Sequence, residues 1–288
     1  LYSTVPRNLW RHTRVGGVDG RRELEGGGAV VNWSVRRLTN PTEIAAFLEQ
    51  DRGYAAYALG DLEPGFSEQC QWFGADLEGG LRSLALLFAG LDPPALFLMG
   101  EPMGVALILR AALRPATVMF TCRESHLLPL KTHYLTGEVD SMLRMTLSAP
   151  DFRPVSVFGV ERLGPGYAGE LARLYESARG NAFSPYQLAQ GVFYGVKQQG
   201  RLVSAAGTHL VAKTMRIAAV GNVCTYPEHR GRGYATRCTS AVCADLLAMG
   251  LDVVLNVACD NADAIHVYQK LGFRAYCPFV EGVAVRKR

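Results

Sequence analysis

Apolar residues follow two patterns that alternate along this chain from Val35 onward. Continuous or alternating apolar runs predict strands, and apolar residues spaced three or four apart predict helices. In the first half this predicts strands near residues 35–38, 72–75, 81–88, 95–99, 117–121 and 141–147, and helices near 41–50, 54–62, 103–113 and 125–134. Such alternation is typical of an α/β or α+β fold.

The second half repeats this order of elements. Its pattern predicts strands at residues 156–162, 191–197, 201–211, 214–226 and 252–258, a last strand pair within 274–285, and helices at 166–179, 184–190, 233–249 and 262–271. Two successive copies of one order suggest an internal duplication, and two unrelated α/β halves are the alternative. We predict one domain at residues 34–150 and a second at residues 151–288.

The start of the chain has a different composition. Residues 1–30 contain five arginines and six glycines and no apolar stretch typical of a secretory signal. We predict that residues 1–33 form a disordered leader. A transit peptide is the alternative, but Asp19, Glu23 and Glu25 argue against it.

Composition excludes several classes of protein. Of the 288 residues, 49% are apolar and 19% are charged, which permits sizeable cores. A net charge of +4 is too mild to indicate a nucleic-acid or membrane partner. The seven cysteines form no CxxC pair, so we expect neither a disulfide framework nor a metal site. No apolar run approaches the ~20 residues that span a bilayer. We expect a cytoplasmic protein, either a monomer or a homodimer.

The most informative segment runs from Val220 to Tyr234, from a strand through a basic glycine turn into a long helix. A helix N-terminus carries unpaired N–H groups and a partial positive charge, and glycines let a ligand approach the backbone closely. With Arg230 and Arg232, this predicts a cradle for a pyrophosphate. The alternative is an ordinary turn with solvated arginines. The sequence contains neither a P-loop nor a GxGxxG motif.

This segment resembles the acyl-coenzyme A signature [R/Q]-x-x-G-x-[G/A] of the GCN5-related N-acetyltransferases (GNAT), with Arg230, Gly233 and Ala235 at the fixed positions. The segment from Asp260 to Phe273 resembles the family's N-x-x-A-x-x-x-Y-x-x-x-G-F helix. The resemblance is good over residues 158–288 and weak over 35–149. It implies two tandem GNAT-like domains, each a mixed, mostly antiparallel sheet flanked by helices. It also implies acetyl transfer from acetyl-CoA to a primary amine by direct attack on the thioester, without a metal.

The equivalent turn of the first half, Met99 to Gly104, has no arginine and carries Glu101. A carboxylate at a helix N-terminus would repel a pyrophosphate. We therefore expect the first copy to be degenerate and not to bind the cofactor.

The resemblance also implies roles for single residues. Tyr268 matches the tyrosine that protonates the coenzyme A thiolate, and Asn261 the residue that binds the pantetheine arm. A packed aromatic residue is the alternative for Tyr268. Cofactor contacts are expected from the strand end, the turn and the following helix start: Val223, Cys224, Thr225, Arg230, Gly231, Arg232, Gly233, Tyr234, Ala235, Thr236 and Asn261.

The general base is not identified by the sequence. His209 is a candidate, with a structural histidine as the alternative. Asn222 or Gly221 stands in the region where some family members have a carboxylate. Glu228 is more typical of a helix start, and a water relay without a dedicated base is also open. Cys224 is interpreted as strand packing, and His229 and His266 as surface residues.

The acceptor is expected to be a small-molecule or peptide amine. Its binding cleft is expected to be lined by aromatic residues within 181–186 and by Phe193 and Tyr194. An amino acid or a thiol-sugar amine is an alternative acceptor. A non-catalytic acyl-CoA-binding or regulatory module is the alternative function.

Overall fold

A computed structural model describes residues 32–176 and 183–288. The predicted leader, apart from its last two residues, lies outside the described residues, as do residues 177–182. The strands are β1 (Trp33–Leu38), β2 (Cys70–Leu77), β3 (Gly80–Phe88), β4 (Ala95–Gly100), β5 (Thr117–Cys122), β6 (Tyr134–Leu147), β7 (Val160–Arg162), β8 (Tyr194–Gln198), β9 (Arg201–Ala212), β10 (Ile217–Thr225), β11 (Asp252–Ala258) and β12 (Arg274–Arg286). The helices are α1 (Pro41–Leu48), α2 (Ala56–Gly60), α3 (Pro102–Ala111), α4 (Leu127–His133), α5 (Ala168–Glu176), α6 (Pro185–Gln190), α7 (Tyr234–Ala248) and α8 (Ala262–Lys270).

The chain forms two compact units that are not two consecutive stretches of sequence. The C-terminal unit contains residues 52–63 and the described part of 142–278. The N-terminal unit contains residues 32–51, 64–141 and 279–288. The division therefore differs from the predicted one at residue 150, because β6 and β12 each contribute residues to both units.

The C-terminal unit contains a mixed sheet in the order β6-β11-β10-β9-β8-β7. Only β10 and β11 are parallel, and the other pairs are antiparallel. Helix α7 buries Cys238, Val242, Cys243 and Leu246, a spacing that places them on one helix face. These residues belong to one apolar core with strands β8 to β11. The predicted mixed, mostly antiparallel sheet with flanking helices is confirmed.

The N-terminal unit repeats this order of strands. Its sheet runs β1-β2-β3-β4-β5-β12, and only β4 and β5 are parallel. In each unit, five successive strands of one half are followed by a last strand from the other half. This repetition agrees with the internal duplication that the sequence predicts.

Two predicted segments are wrong. The strand pair expected within residues 274–285 is one continuous strand, β12. A glycine at position 282 is needed there, because a Cβ would lie 2.6 Å from the carbonyl oxygen of Glu138. Residues 134–147, expected as a helix end and a separate strand, form the single strand β6.

Side chains cap the first turn of two helices. The side chain of Asn40 caps α1, accepting a hydrogen bond from Thr42 N at 3.0 Å. Ser184 and Gln187 form a reciprocal capping box at the start of α6. No helix in the described ranges is both long and apolar enough to cross a membrane.

Candidate functional site

The parallel strands β10 and β11 separate partway along their length. Their pairing runs from Ile217 opposite Asp252 to Val220 opposite Leu255 and then stops. Each strand continues beyond this point, β10 paired to β9 and β11 paired to β6. An opening therefore forms at the carboxyl ends of two parallel strands, where ligands bind in many α/β proteins.

Two irregularities in the β9–β10 ladder lie at this opening. On β9, His209 is an extra residue between the pairs Leu210–Ala219 and Thr208–Val220. On β10, Asn222 and Val223 lie between the paired residues Gly221 and Cys224, opposite a single residue of β9. Bulges of this kind redirect side chains and backbone groups and are frequent beside active sites.

Asn222 is held in an unusual conformation. It has a φ of +51°, a left-handed value that costs a non-glycine residue free energy. The hydroxyl of Tyr175 donates to its backbone oxygen at 2.6 Å, and its amide nitrogen donates to Gln187 Oε1 at 3.3 Å. Helices α5 and α6 thereby fix the shape of the bulge.

Beyond β10, the chain forms the predicted glycine turn and enters α7. Gly231 and Gly233 have φ values of +75° and +73°, and a Cβ on either would meet nothing within 4 Å. The backbone around these glycines is thus open. The first N–H groups of a helix lack intrahelical partners, and here Arg237 N already bonds to Gly233 O at 3.1 Å. The N–H groups before Arg237 suit an anion.

The two arginines of the turn are exposed and tied to its backbone. Arg230 Nε donates to the carbonyl oxygen of Thr225 at 3.2 Å, and Arg232 Nη2 donates to that of Glu228 at 3.4 Å. A guanidinium group has five donors, so each arginine keeps further N–H groups for an anion. Among the expected neighbours, Tyr234 and Ala235 are half-buried and Thr236 is buried at the helix start.

At the end of β10, the side chain of Cys224 is buried and that of Thr225 is half-buried. Cys224 Sγ donates to the carbonyl oxygen of Leu174 at 3.7 Å, in agreement with its interpretation as strand packing. The Thr225 and Ser204 hydroxyls lie 2.8 Å apart. A ligand in the opening would therefore meet this segment mainly through backbone groups, such as those of Val223.

Helix α8 carries Asn261 and Tyr268. Asn261 Oδ1 accepts a hydrogen bond from Ala264 N at 3.1 Å, so it caps the helix, and the amide nitrogen is the group left to bind a ligand. Tyr268 is 8% exposed and packs edge-on against Phe273. Burial raises the pKa of Tyr268 to about 12, so the phenol is protonated at neutral pH.

His209 lies at the opening with two distinct ring nitrogens. Its Nδ1 lies 3.0 Å from the hydroxyl of Tyr57 on α2. Its ring packs against Gly221, where a Cβ would lie 2.4 Å from Nε2. Burial lowers the pKa of His209 to about 4, so the imidazole is neutral at pH 7. His229 is half-buried and His266 exposed, away from this arrangement.

Sequence reasoning missed four residues around His209 and Asn222. Tyr57 belongs to a segment that the sequence assigns to the domain at residues 34–150. The guanidinium carbon of the buried Arg144 lies 5.0 Å from the centre of the Tyr57 ring. The sequence pattern places Tyr175 and Gln187 in helices and indicates no further role for them. The S-x-x-Q capping box indicates where Gln187 lies, but not that it contacts Asn222.

The corresponding loop of the N-terminal unit is built differently. Gly100 also has a positive φ, of +101°, but a Cβ there would lie 2.2 Å from the carbonyl oxygen of Arg82. Glu101 is the N-cap residue of α3, and Pro102, which has no N–H, is its first residue. This loop packs against the neighbouring strand β3 rather than forming an open cradle.

Within the described residues, no group of three or more histidine, cysteine or acidic side chains could hold a metal ion.

Comparisons with known proteins agree with this arrangement. Residues 192–280 match the FR47-like protein family. A protein from Novosphingobium aromaticivorans assigned to the GNAT family is 28% identical, with a TM-score of 0.54 over 67% of this chain and 84% of that one. A tandem GNAT protein from the clavulanic acid biosynthesis pathway is 16% identical, with a TM-score of 0.56; the match covers 89% of this chain and 99% of that one. A GNAT-family acetyltransferase from Colwellia psychrerythraea is 12% identical, with a TM-score of 0.55; the match covers 88% of this chain and 100% of that one. The comparison with curated proteins finds no match.

Proposed function

Starting from the tandem GNAT fold of this chain, we propose that its C-terminal unit transfers an acetyl group from acetyl-CoA to a primary amine. The observation that carries the proposal is the opening between β10 and β11 together with the Gly231–Gly233 turn, which follows β10 in the chain and precedes α7. A thioester arm fits an opening lined by backbone groups, and a pyrophosphate fits a helix N-terminus with glycines before it.

The turn would bind the pyrophosphate through backbone N–H groups of residues 231–236 and through the two arginines. The bulge at Asn222 and Val223 would offer backbone groups to the arm and to the thioester carbonyl. Asn261 would contribute its amide nitrogen. The conformation of the chain therefore provides most contacts, and few side chains are needed.

The chemistry is a direct acyl transfer. The amine lone pair attacks the carbonyl carbon, a C–N bond forms, and the C–S bond breaks as the tetrahedral adduct collapses. A backbone N–H of the bulge stabilises the oxyanion of that adduct. Tyr268, which is protonated at neutral pH, gives its proton to the departing thiolate.

The N-terminal unit would not bind acetyl-CoA. Its loop is packed against Arg82 and begins its helix with a glutamate and a proline. A pyrophosphate there would meet the carboxylate of Glu101 in place of arginines. It would also find one backbone N–H group fewer, because Pro102 has none. This favours the degenerate first copy that the sequence indicates.

The test is release of free thiol from acetyl-CoA with methylamine, benzylamine, glycine, glucosamine and spermidine as acceptors. Turnover with one of these amines above the rate of hydrolysis supports the transferase. Tight binding of acetyl-CoA without turnover on any of them would instead favour a non-catalytic acyl-CoA-binding module.

A further inference from the structure

The two unusual residues of the opening leave two buried polar atoms side by side. In the part of the chain that the structure describes, neither His209 Nε2 nor Asn222 Oδ1 has a hydrogen-bond partner. His209 Nε2 lies against Gly221, because a Cβ on that glycine would lie 2.4 Å from it, and Asn222 is the next residue of β10, so both atoms lie at the same bulge. A buried polar atom without a partner costs free energy, and such atoms mark places where a ligand completes the structure.

Surrounding contacts hold both atoms in place. Asn222 Nδ2 donates to Gln187 Oε1 at 3.3 Å, so the amide is oriented with Oδ1 on the other side. Tyr57 contacts His209 Nδ1 at 3.0 Å, and Arg144 stacks on the Tyr57 ring. The imidazole therefore presents Nε2, and not Nδ1, toward the bulge.

We propose that His209 Nε2 and Asn222 Oδ1 together bind the nitrogen of the acceptor, and that His209 takes its proton. When Nδ1 carries the hydrogen and donates it to the Tyr57 oxygen, Nε2 has a free lone pair. Nε2 and Oδ1 are then two hydrogen-bond acceptors at one place. A primary amine has two N–H groups to satisfy both, whereas a hydroxyl, a thiol or a neutral secondary amine has only one.

This inference rests on the proposed acetyl transfer and assigns the acceptor side of that site. As the C–N bond forms, the nitrogen becomes positively charged and gives one proton to His209 Nε2. The departing thiolate takes a proton from Tyr268. One proton then passes through solvent from His209 to the Tyr268 phenolate, so the reaction yields an amide and a free thiol.

Tyr57 acts through His209 and is a positioning residue. In the other tautomer, Tyr57 would donate to Nδ1, and Nε2–H would donate to Asn222 Oδ1. That arrangement would satisfy both groups internally and make His209 structural. The tautomer of His209 therefore decides between the two roles.

The first test is ¹⁵N NMR of the protein labelled at histidine, which reads the tautomer without acetyl-CoA and without turnover. The account predicts a neutral His209 ring protonated at Nδ1, with a nonprotonated Nε2 that shifts on addition of methylamine. A ring protonated at Nε2 would overturn the proposal. The Tyr57→Phe variant should mix the tautomers, and His266→Gln should leave the His209 signals unchanged.

The second test compares two replacements of His209 in the acetyl-transfer assay. In His209→Gln, an amide oxygen takes the place of Nε2, so KM for the amine should stay within about threefold. In that variant kcat should fall by about 10²-fold, the usual effect of losing a general base. In His209→Asn, the group near Nε2 is lost, so KM should also rise. Equal kcat in the wild type and His209→Gln would contradict the proposal.

Acetyl-CoA binding, measured on the same variants, separates this inference from the proposed function. Both variants should bind acetyl-CoA as the wild type does. If the wild type itself fails to bind acetyl-CoA, the proposed function fails. If it binds acetyl-CoA but His209 is protonated at Nε2, only the role assigned to His209 fails.

Discussion

Gly231 and Gly233 bind no ligand through a side chain, yet they determine the shape of the cradle. Both have left-handed φ angles, and both lie in open space, so a methyl group would cause conformational strain and no clash. The conformational role of these two glycines can therefore be tested without disturbing side-chain packing. Gly200, in the turn between β8 and β9, has the same properties with a φ of +78°.

Gly233→Ala should lower the free energy of unfolding by about 1–2 kcal/mol, because an L-residue is strained at this φ. It should also weaken acetyl-CoA binding. Gly200→Ala is the matched control, since it should cost similar stability and leave binding unchanged. Urea unfolding and calorimetry measure the two effects. Equal loss of acetyl-CoA affinity in both variants would show that binding only follows stability.

Tyr268 combines a place in the core with a hydroxyl proposed to act in catalysis. Tyr268→Phe keeps the ring, so it should lower kcat by about tenfold or more while the dissociation constant of acetyl-CoA stays unchanged. Tyr276→Phe, at an exposed tyrosine, is the control. A normal kcat in Tyr268→Phe would leave only the packing role.

The raised pKa of Tyr268 predicts the pH dependence of stability. The folded state holds this proton more tightly than the unfolded state, so the contribution is complete below pH 10. It is lost as the pH rises from about 10 to about 12. The slope of unfolding free energy against pH in that window should be smaller in Tyr268→Phe than in the wild type. Identical slopes would contradict the assigned shift.

At the scale of elements, the site depends on α6 more than its six residues suggest. Its capping box uses Gln187 Oε1, which accepts from both Ser184 N at 3.0 Å and Asn222 Nδ2 at 3.3 Å. The start of the helix is therefore connected to the bulge of β10. The box is visible as S-x-x-Q in the sequence, but its link to Asn222 depends on tertiary packing.

Ser184→Ala should cost about 1 kcal/mol of stability through the lost cap and should also reduce acetyl transfer, because Gln187 would be less well held. Asn40→Ala removes the cap of α1 in the N-terminal unit at a similar cost. It should leave kcat unchanged. Chemical denaturation and thiol release measure the two effects, and a loss of activity only in proportion to unfolding would contradict this link.

At the scale of the whole molecule, local signals predicted more than long-range ones. A few adjacent residues are enough to predict the turn at Arg230 and the bounds of β11. The assignment of residues 52–63 to the C-terminal unit, and the course of β12, depend on pairing between distant segments. For this reason the sequence does not predict the contact between Tyr57 and His209.

Because the C-terminal unit includes residues 52–63 and 142–150, we predict that residues 151–288 do not form a functional unit alone. Such a fragment lacks residues 142–147 of β6, which pair with β11, and lacks Tyr57. It should show little protected amide in β11 by hydrogen exchange and should not bind acetyl-CoA. A well-folded, acetyl-CoA-binding fragment would show that the C-terminal half is independent.

The central claim is that the C-terminal unit alone holds acetyl-CoA, and calorimetric titration tests it most directly. The account predicts one acetyl-CoA per chain. Arg230→Glu should weaken binding about 10-fold or more, as expected for the loss of a hydrogen bond to a charged group, and Glu101→Ala should leave the affinity unchanged. Absence of binding to the folded wild type at millimolar acetyl-CoA, or two molecules per chain, would contradict it.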